Sequence, residues 1–125
     1  MDGALQPALG LGGAIVIVSI AAHFIAASAR SGQLSRNQAI GIRTKHTLAS
    51  DEAWRAGHEA AAPMVAKAAW IGYGCVGLMA VTAIALPLPD AAPWLLVLAI
   101  SGLVTVVVAL YLGTSAANRA AKTLA

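Results

Sequence analysis

Hydrophobic and polar positions divide this chain into three long apolar runs and one polar segment. The runs contain no Asp, Glu, Lys or Arg and cover residues 3–29, 68–89 and 91–118. A helix needs roughly 20 apolar residues to cross a bilayer, so each run is long enough. The polar segment, residues 37–63, lies between the first two runs. Of the chain's thirteen charged residues, eight lie between Arg36 and Lys67.

The composition supports lipid as the solvent of the three runs. The 125 residues are 59% hydrophobic and only 10% charged, whereas soluble domains carry about 25% charged residues. The pattern predicts an all-α integral membrane protein with one membrane domain, residues 1–125. Its predicted parts are a first span at about 8–29, a loop with a short helix at 30–62, a second span at about 64–86 and a third span at about 92–117. The first run has no basic start and exceeds a signal-peptide core, so we expect a permanent helix.

The distribution of Lys and Arg predicts the orientation. Basic residues are enriched in cytoplasmic loops. Here they lie in or beside the first loop and in the C-terminal tail, whereas the N-terminus and the second loop carry only Asp2 and Asp90. Three spans then place the N-terminus outside and the C-terminus in the cytoplasm. The turn at Pro87 to Pro93 predicts that the second and third helices form an antiparallel hairpin.

The polar segment predicts a short amphipathic helix in the first, cytoplasmic loop. Ser50 is a good N-cap, and Asp51 and Glu52 suit the positive end of the helix dipole. A helix from residue 51 to about residue 62 would place four residues on one side, and Pro63 would then start or kink the second span. The four residues are Asp51, Trp54, Arg55 and His58.

Two interpretations of this segment remain open at the level of sequence. In the first, Arg43 and Arg55 pair with nearby acids, Asp51, Glu52 or Glu59, and an ion-pair network fixes the loop. In the second, the same side chains form a pocket that recognises a peptide, a lipid headgroup or a partner protein, since loop residues often carry function.

The apolar runs offer little further chemistry. His23 lies inside the first span, where an ionisable group is a functional candidate or bonds to a neighbouring helix. His58 and His23 match no standard metal pattern, Cys75 is the single cysteine, and no catalytic triad or nucleic-acid motif is present. We therefore predict no enzyme activity, metal, cofactor or nucleic-acid partner. A stripe of small residues on the third helix predicts a contact with the first helix or another protomer: Ser101, Thr105, Ala109, Gly113 and Ala117.

The polar segment resembles the signature of the SdpI family of bacterial membrane proteins. The matching pattern is N-x3-GIRT-x2-TL-x-SDE-x-WR-x2-H, which begins at Asn37 and ends at His58. The resemblance implies a recognition or structural centre formed by the signature residues, with His23 as a polar group inside the membrane. The signature residues expected to form this centre are Asn37, Arg43, Thr44, Asp51, Glu52, Trp54, Arg55 and His58. Lys45-His46 and Glu59 depart from the residues common in the family.

The resemblance implies a non-enzymatic protein of the bacterial inner membrane that acts in toxin immunity or envelope-stress protection. The family is named after an immunity protein that also relays the presence of a secreted toxin to a repressor. Longer members carry additional helices before this module, which we expect to be absent here. The alternative is an accessory subunit of a larger membrane complex, and a membrane enzyme or transporter using His23 is a third hypothesis. The expected partners are the bilayer, a larger complex or homo-oligomer, and a peptide toxin.

Overall fold

Three long helices and one short helical turn make up the fold in a computed structural model that describes residues 3–124. The helices are α1 (Leu5–Ser31), α2 (Asp51–Ala85) and α3 (Leu88–Lys122), with one 3₁₀ turn at Thr47–Ala49. No strand occurs within the described residues. All three helices are long and apolar enough to cross a membrane. The predicted all-α fold with three transmembrane helices is therefore confirmed.

Local signals in the sequence set the helix ends. Gly32 ends α1 with a φ of 74°, and the N–H groups of Gly32 and Gln33 donate to the carbonyls of Ala29 and Ser28. This is the two-bond glycine cap expected at a helix C-terminus. Ser50 caps α2, because its Oγ accepts a hydrogen bond from the Ala53 N–H at 3.0 Å. The predicted N-cap and its acidic first turn are thus at the start of α2.

The predicted separate amphipathic helix in the first loop is wrong. Residues 51–62 are the first turns of α2, which continues without interruption to Ala85 and contains Pro63 in its interior. Proline removes the hydrogen bond to the carbonyl four residues earlier. That carbonyl belongs to Glu59, and both Glu59 and Pro63 lie on the exposed side of the helix. Burial of Ala61, Ala62 and Val65 on the opposite side stabilises the helix through this position.

Small residues fill the interior of the bundle, and large apolar residues cover its outside. The buried core is dominated by alanine, with fully enclosed positions such as Ala8, Ala68 and Ala99. Large apolar side chains are exposed on all three helices, including Ile17, Ile84 and Tyr111. Helices in lipid associate through close packing of small residues, and their large side chains face the acyl chains. The burial pattern is therefore that of a membrane bundle.

The small-residue stripe of α3 divides into two halves. Gly113 packs against Val65 of α2, and Ala117 lies against Gly57 of α2. Ser101 and Thr105, in the other half, are exposed. The buried half of the stripe therefore contacts α2, because α2 and α3 form the antiparallel hairpin that the short turn at Leu86 and Pro87 imposes. The core clusters that contain Ala109 and Ala117 also include residues of α1, namely Val18, Ala22 and Ala26.

One end of the bundle brings three parts of the chain together. The last turn of α1, the start of α2 and the last turns of α3 meet there. Thr44, in the loop between α1 and α2, donates a hydrogen bond from Oγ1 to Asn118 Oδ1 of α3. We call the loop and the first two turns of α2, residues 32–58, the cap.

Candidate functional site at the cap

The first part of the cap is shaped by one asparagine side chain. Asn37 Oδ1 accepts hydrogen bonds from the N–H groups of Ala39 and Ile40, at 2.8 and 2.7 Å. Its Nδ2 donates to the carbonyls of Ser35 and Ile40, both at 2.9 Å. Asparagine favours such turns because its short side chain reaches the adjacent backbone. Asn37 therefore organises residues 35–40 and is committed to the loop itself.

His58 ties the loop to α2. The Ile42 N–H donates to His58 Nε2 at 2.8 Å, and His58 Nδ1 lies 2.8 Å from the Trp54 carbonyl. Since Nε2 accepts, the proton must be on Nδ1, which donates to that carbonyl. Burial lowers the pKa of His58 below its ordinary value of 6.5, against a smaller opposing effect of the Trp54 carbonyl. His58 is thus a neutral imidazole with both nitrogens engaged in structural bonds.

Trp54 forms the centre of the cap. Its side chain is 2% exposed, its ring lies 4.2 Å from the His58 ring between centroids, and Nε1–H donates to the Leu34 carbonyl at 2.8 Å. Gly41 packs directly onto this pair with a φ of 118°. A Cβ at Gly41 would lie 2.8 Å from His58 Nε2 and 2.8 Å from the Trp54 ring. Glycine is the residue that tolerates both the positive φ and the close approach to the two rings, because it has no Cβ.

Two threonines join the cap to α3. Thr47 is fully buried, and its Oγ1 donates to the Ile42 carbonyl at 2.7 Å and accepts from the Thr44 N–H at 2.9 Å. Thr44 Oγ1 in turn donates to Asn118 of α3. The methyl group of Thr47 faces Gly57, where α2 comes closest to the backbone of Ala117. The cap is therefore fixed to α3 as well as to α2.

The ion pairing in the cap differs from the network expected from the sequence, in which Arg43 and Arg55 pair with nearby acids. Within residues 3–124 the single ion pair joins Arg36 Nε to Asp51 Oδ1 at 3.2 Å, and Arg36 also donates to the Leu48 carbonyl at 3.0 Å. Arg43 donates from Nε to the Asn37 carbonyl at 3.2 Å. The described residues show no ion pair of Arg43 or Arg55 with an acid. The expected network is replaced by hydrogen bonds to backbone carbonyls, and the side chains of Glu52 and Arg55 are exposed.

A cleft of about 280 Å³ opens between the end of α1 and the start of α2. Four of the predicted residues line it, namely Asp51, Trp54, Arg55 and His58. The other lining residues are Ala29, Gly32, Leu34, Ser35 and Arg36. Asn37 and Arg43 do not line this cleft and border an open surface groove with Arg36, Gln38 and Leu48. Glu52 and Thr44 line neither of these two cavities.

Comparison with protein families identifies the segment that carries this geometry. A sequence profile of the SdpI/YfhL protein family matches residues 33–112, almost two thirds of the chain. The chain belongs to the SdpI/YfhL family. The matched region contains most of the cap, all of α2 and most of α3. No curated protein and no solved structure is significantly similar to the chain.

Membership of the SdpI/YfhL family agrees with the fold. The chain is a multi-pass membrane protein of SdpI type, with three apolar helices and the family signature gathered in the cap. The SdpI/YfhL family is not a known enzyme family. Between residues 3 and 124, no three His, Cys, Asp or Glu side chains are grouped so that they could hold a metal ion.

His23 lies apart from the cap residues that line the cleft. Its Nδ1 is 3.3 Å from the Tyr73 hydroxyl of α2, and its ring lies 6.0 Å from both Trp70 and Tyr73 between centroids. These residues face outward along the groove between α1 and α2, and Trp70 is 66% exposed. The hydrogen bond to a neighbouring helix, one of the two expectations for His23, is present.

Several residues important to the cap were not singled out from the sequence. Thr47, Gly41 and Ile42 belong to the family signature, but their roles depend on backbone conformation and burial. Asn118 lies beyond the matched region. The sequence signal that could have identified Asn118 is its position as a lone amide between Ala117 and Arg119, at the end of an apolar helix. Arg36 was counted only as a basic residue and not as the partner of Asp51.

Proposed function

We propose that this SdpI/YfhL protein is a non-enzymatic component of the bacterial inner membrane that protects the cell envelope against a membrane-active peptide toxin. The observation that carries the proposal is the assembly of the family signature into one cap. There, the side chains of Trp54 and His58 bond to the loop through Leu34 and Ile42. Because neither nitrogen of His58 is free, the histidine is poorly suited to proton transfer, which supports a structural or recognition role.

The proposed orientation has the N-terminus outside and the cap and C-terminus in the cytoplasm. Seven of the eight Lys and Arg residues lie in the cap, the last turn of α1 or the last turn of α3, all at one end of the bundle. The opposite end carries Asp90 in the first turn of α3. The positive-inside rule therefore favours a cytoplasmic cap.

This orientation determines how protection would operate. A toxin that enters from outside meets the lipid-facing surface of the helices before it reaches the cap. We propose that the cap holds α1, α2 and α3 in the arrangement that presents this surface. Loss of Trp54 would then abolish protection by loosening the helices, although Trp54 is only 2% exposed and offers an external peptide little surface.

Growth of a deletion strain in the presence of secreted antimicrobial peptides tests the proposal. We expect the strain to be more sensitive to at least one peptide, the wild-type gene to restore resistance, and Trp54→Ala to fail at equal membrane abundance. Lys45→Ala, a change at an exposed residue of the same cap, should restore resistance. Equal growth of deletion and wild-type strains against every peptide would reject the protective role.

The orientation has a separate test. In a Cys75→Ala background, Ser35→Cys places a single thiol on an exposed cap residue. A membrane-impermeant maleimide should label this thiol only after the cells are opened. Labelling in intact cells would reverse the proposed orientation and leave the protection assay unaffected.

A second candidate function, an accessory subunit of a larger membrane complex, is favoured by open glycine positions. At Gly10, Gly74 and Gly77 a Cβ would meet none of the described atoms within 4 Å. Exposed small residues allow a further helix to approach closely. Purification in mild detergent, followed by mass measurement, distinguishes the candidates. A stoichiometric partner supports the accessory role, and a monomer that protects cells excludes it.

A further inference from the structure

We propose that the cleft beside Trp54 and His58 binds a phosphate group, carried either by an anionic phospholipid headgroup or by a soluble phosphate ester. The proposal goes beyond a protective function and does not depend on it. It rests on the charge, the free hydrogen-bond donors, the size and the position of the cleft.

The charge of the cleft is positive. Two guanidinium groups, Arg36 and Arg55, line it together with a single carboxylate, Asp51. His58 adds no charge, because its Nε2 accepts the Ile42 N–H. The one carboxylate is bound to Arg36, which leaves the charge of Arg55 uncompensated in the part of the chain that the structure describes. An anion is therefore the ligand that this lining favours, and a metal cation is disfavoured.

The two arginines offer donors in different states. Asp51 and the Leu48 carbonyl hold Arg36 through Nε and one terminal nitrogen, so its other terminal nitrogen is positioned without a partner among residues 3–124. Arg55 makes no hydrogen bond within the same residues. Arginine binds phosphate through paired N–H groups, and a fixed guanidinium loses less entropy on binding. One donor is thus preorganised, and the second is free to close on the ligand.

The size of the cleft limits what it can hold. Its volume of about 280 Å³ is close to the lower bound of about 300 Å³ for ligand pockets. Its lining includes polar and charged residues, namely Ser35, Arg36 and Arg55. A compact polar group fits this space better than an extended peptide does. A phosphate with its glycerol portion matches both the size and the polar lining.

The position of the cleft brings it to the membrane surface. The apolar run of α1 ends at Ala29, which lines the cleft, and the next residue is Arg30. His58 precedes Met64, near the start of the predicted second span, by six residues, or about 9 Å of helix at about 1.5 Å per residue. The headgroup layer of a leaflet is about 5–8 Å thick. The cleft therefore extends from the end of the apolar run, at Ala29, to about 9 Å beyond the second span, at His58, and this range includes the whole headgroup layer.

Binding to the purified full-length protein in neutral detergent tests the proposal. The two probes are short-chain dihexanoyl-phosphatidylglycerol and soluble glycerol 3-phosphate, with dihexanoyl-phosphatidylcholine as a zwitterionic reference. Saturable binding of the phosphatidylglycerol alone assigns the site to a lipid. Binding of glycerol 3-phosphate with equal or higher affinity assigns it to a soluble ester. If neither probe binds in a saturable manner, the proposal is wrong.

A matched pair of variants separates the cleft from general charge. Arg55→Gln removes one cleft donor without breaking any hydrogen bond among the described residues, and Lys45→Gln removes the same charge elsewhere in the cap, outside the cleft. We expect Arg55→Gln to weaken binding by at least about tenfold, as for the loss of charge-assisted hydrogen bonds. Lys45→Gln should change binding by less than about twofold, because an exposed charge outside the site contributes little. Equal losses in both variants would overturn the assignment to the cleft.

Discussion

The two ends of the helical bundle are held together by different kinds of contact. At the cap, individual side chains bond to individual atoms, as His58 does with the Ile42 N–H and Trp54 with the Leu34 carbonyl. At the opposite end, the contacts are between apolar surfaces, in a cluster of buried Leu5, Ala8, Met79, Ala91, Ala92, Leu95 and Ala99. Hydrogen bonds demand particular atoms at particular angles, whereas apolar packing tolerates residues of similar volume.

The comparison explains why a motif is visible at one end only. An alanine-rich packing surface can be built from many sequences, so the opposite end leaves no fixed pattern. The cap requires a glycine at residue 41, a histidine at residue 58 and a threonine at residue 47 because each one meets a defined partner. Substitutions in the cap should therefore have large effects that depend on the exact atom removed.

The largest effect is expected for Trp54→Ala. The change removes a ring that is 2% exposed and the hydrogen bond to Leu34, and losses of about 3–5 kcal/mol are typical for a buried Trp. The control is Trp70→Ala, since Trp70 is 66% exposed. Denaturant unfolding in detergent micelles, followed by circular dichroism, measures both. Similar losses in the two variants would contradict the view that the cap is a specifically bonded region.

Gly41→Ala should come next. A residue with a Cβ at positive φ costs about 1–2 kcal/mol, and overlap with His58 and Trp54 adds about 1–3 kcal/mol. Gly32→Ala is the matched control, because Gly32 also has a positive φ but a Cβ there would meet no described atom within 4 Å. The difference between the two free energies of unfolding isolates the contact with the Trp54–His58 pair. No difference would show that this contact is unimportant.

The pH dependence of stability provides a smaller and more selective test. Burial lowers the pKa of His58 in the folded protein, so the unfolded chain binds more protons at this position. The contribution of neutral His58 to the free energy of unfolding is fully present above the unfolded pKa of about 6.5. It is lost progressively as the pH falls below that value. Asp51, Arg36 and Arg55 line the same cleft and set the local charge.

Unfolding at a series of pH values measures this contribution. His58→Gln should flatten the decrease in stability below pH of about 6.5. His46→Gln, elsewhere in the cap, should leave the decrease intact. A decrease that survives His58→Gln unchanged would assign the pH dependence to other groups.

The smallest effect is expected for Asp51→Asn. Both side chains of the ion pair are exposed, Asp51 at 78% and Arg36 at 39%. Such exposed pairs contribute about 0–1 kcal/mol to stability. The loss should decrease further as salt is added, because exposed charges are screened. Double substitution of Arg36 and Asp51 separates the pair from the bond of Arg36 to Leu48. A loss above about 2 kcal/mol would show that the cap depends on this ion pair more than an exposed pair allows.

The number of helices and the hairpin were predictable because membrane spans follow directly from the length of apolar runs. The continuity of α2 through Pro63 was not, because proline signals a break and only the burial of Ala61 and Val65 reveals that packing outweighs it. The N-cap at Ser50 was predictable, since capping depends on neighbouring residues alone.

The internal bonding of the cap was predictable only in part. Sequence placed Asp51, Trp54, Arg55 and His58 on one side of a helix, and all four line the cleft. It did not identify Arg36 as the partner of Asp51, because the choice among several arginines depends on distances in the folded loop. The bond of Thr44 to Asn118 joins residues 74 positions apart, and no local pattern predicts a contact of that separation.

The bond between Thr44 and Asn118 has a consequence for the biogenesis of the protein. Asn118 lies four residues before the end of α3 at Lys122, so during translation the loop is synthesised long before its partner. The loop can complete its attachment only after the second and third spans have been made and α3 has returned to the starting side. Attachment of the cap to α3 therefore requires all three spans, whereas the bonds between the loop and α2 do not.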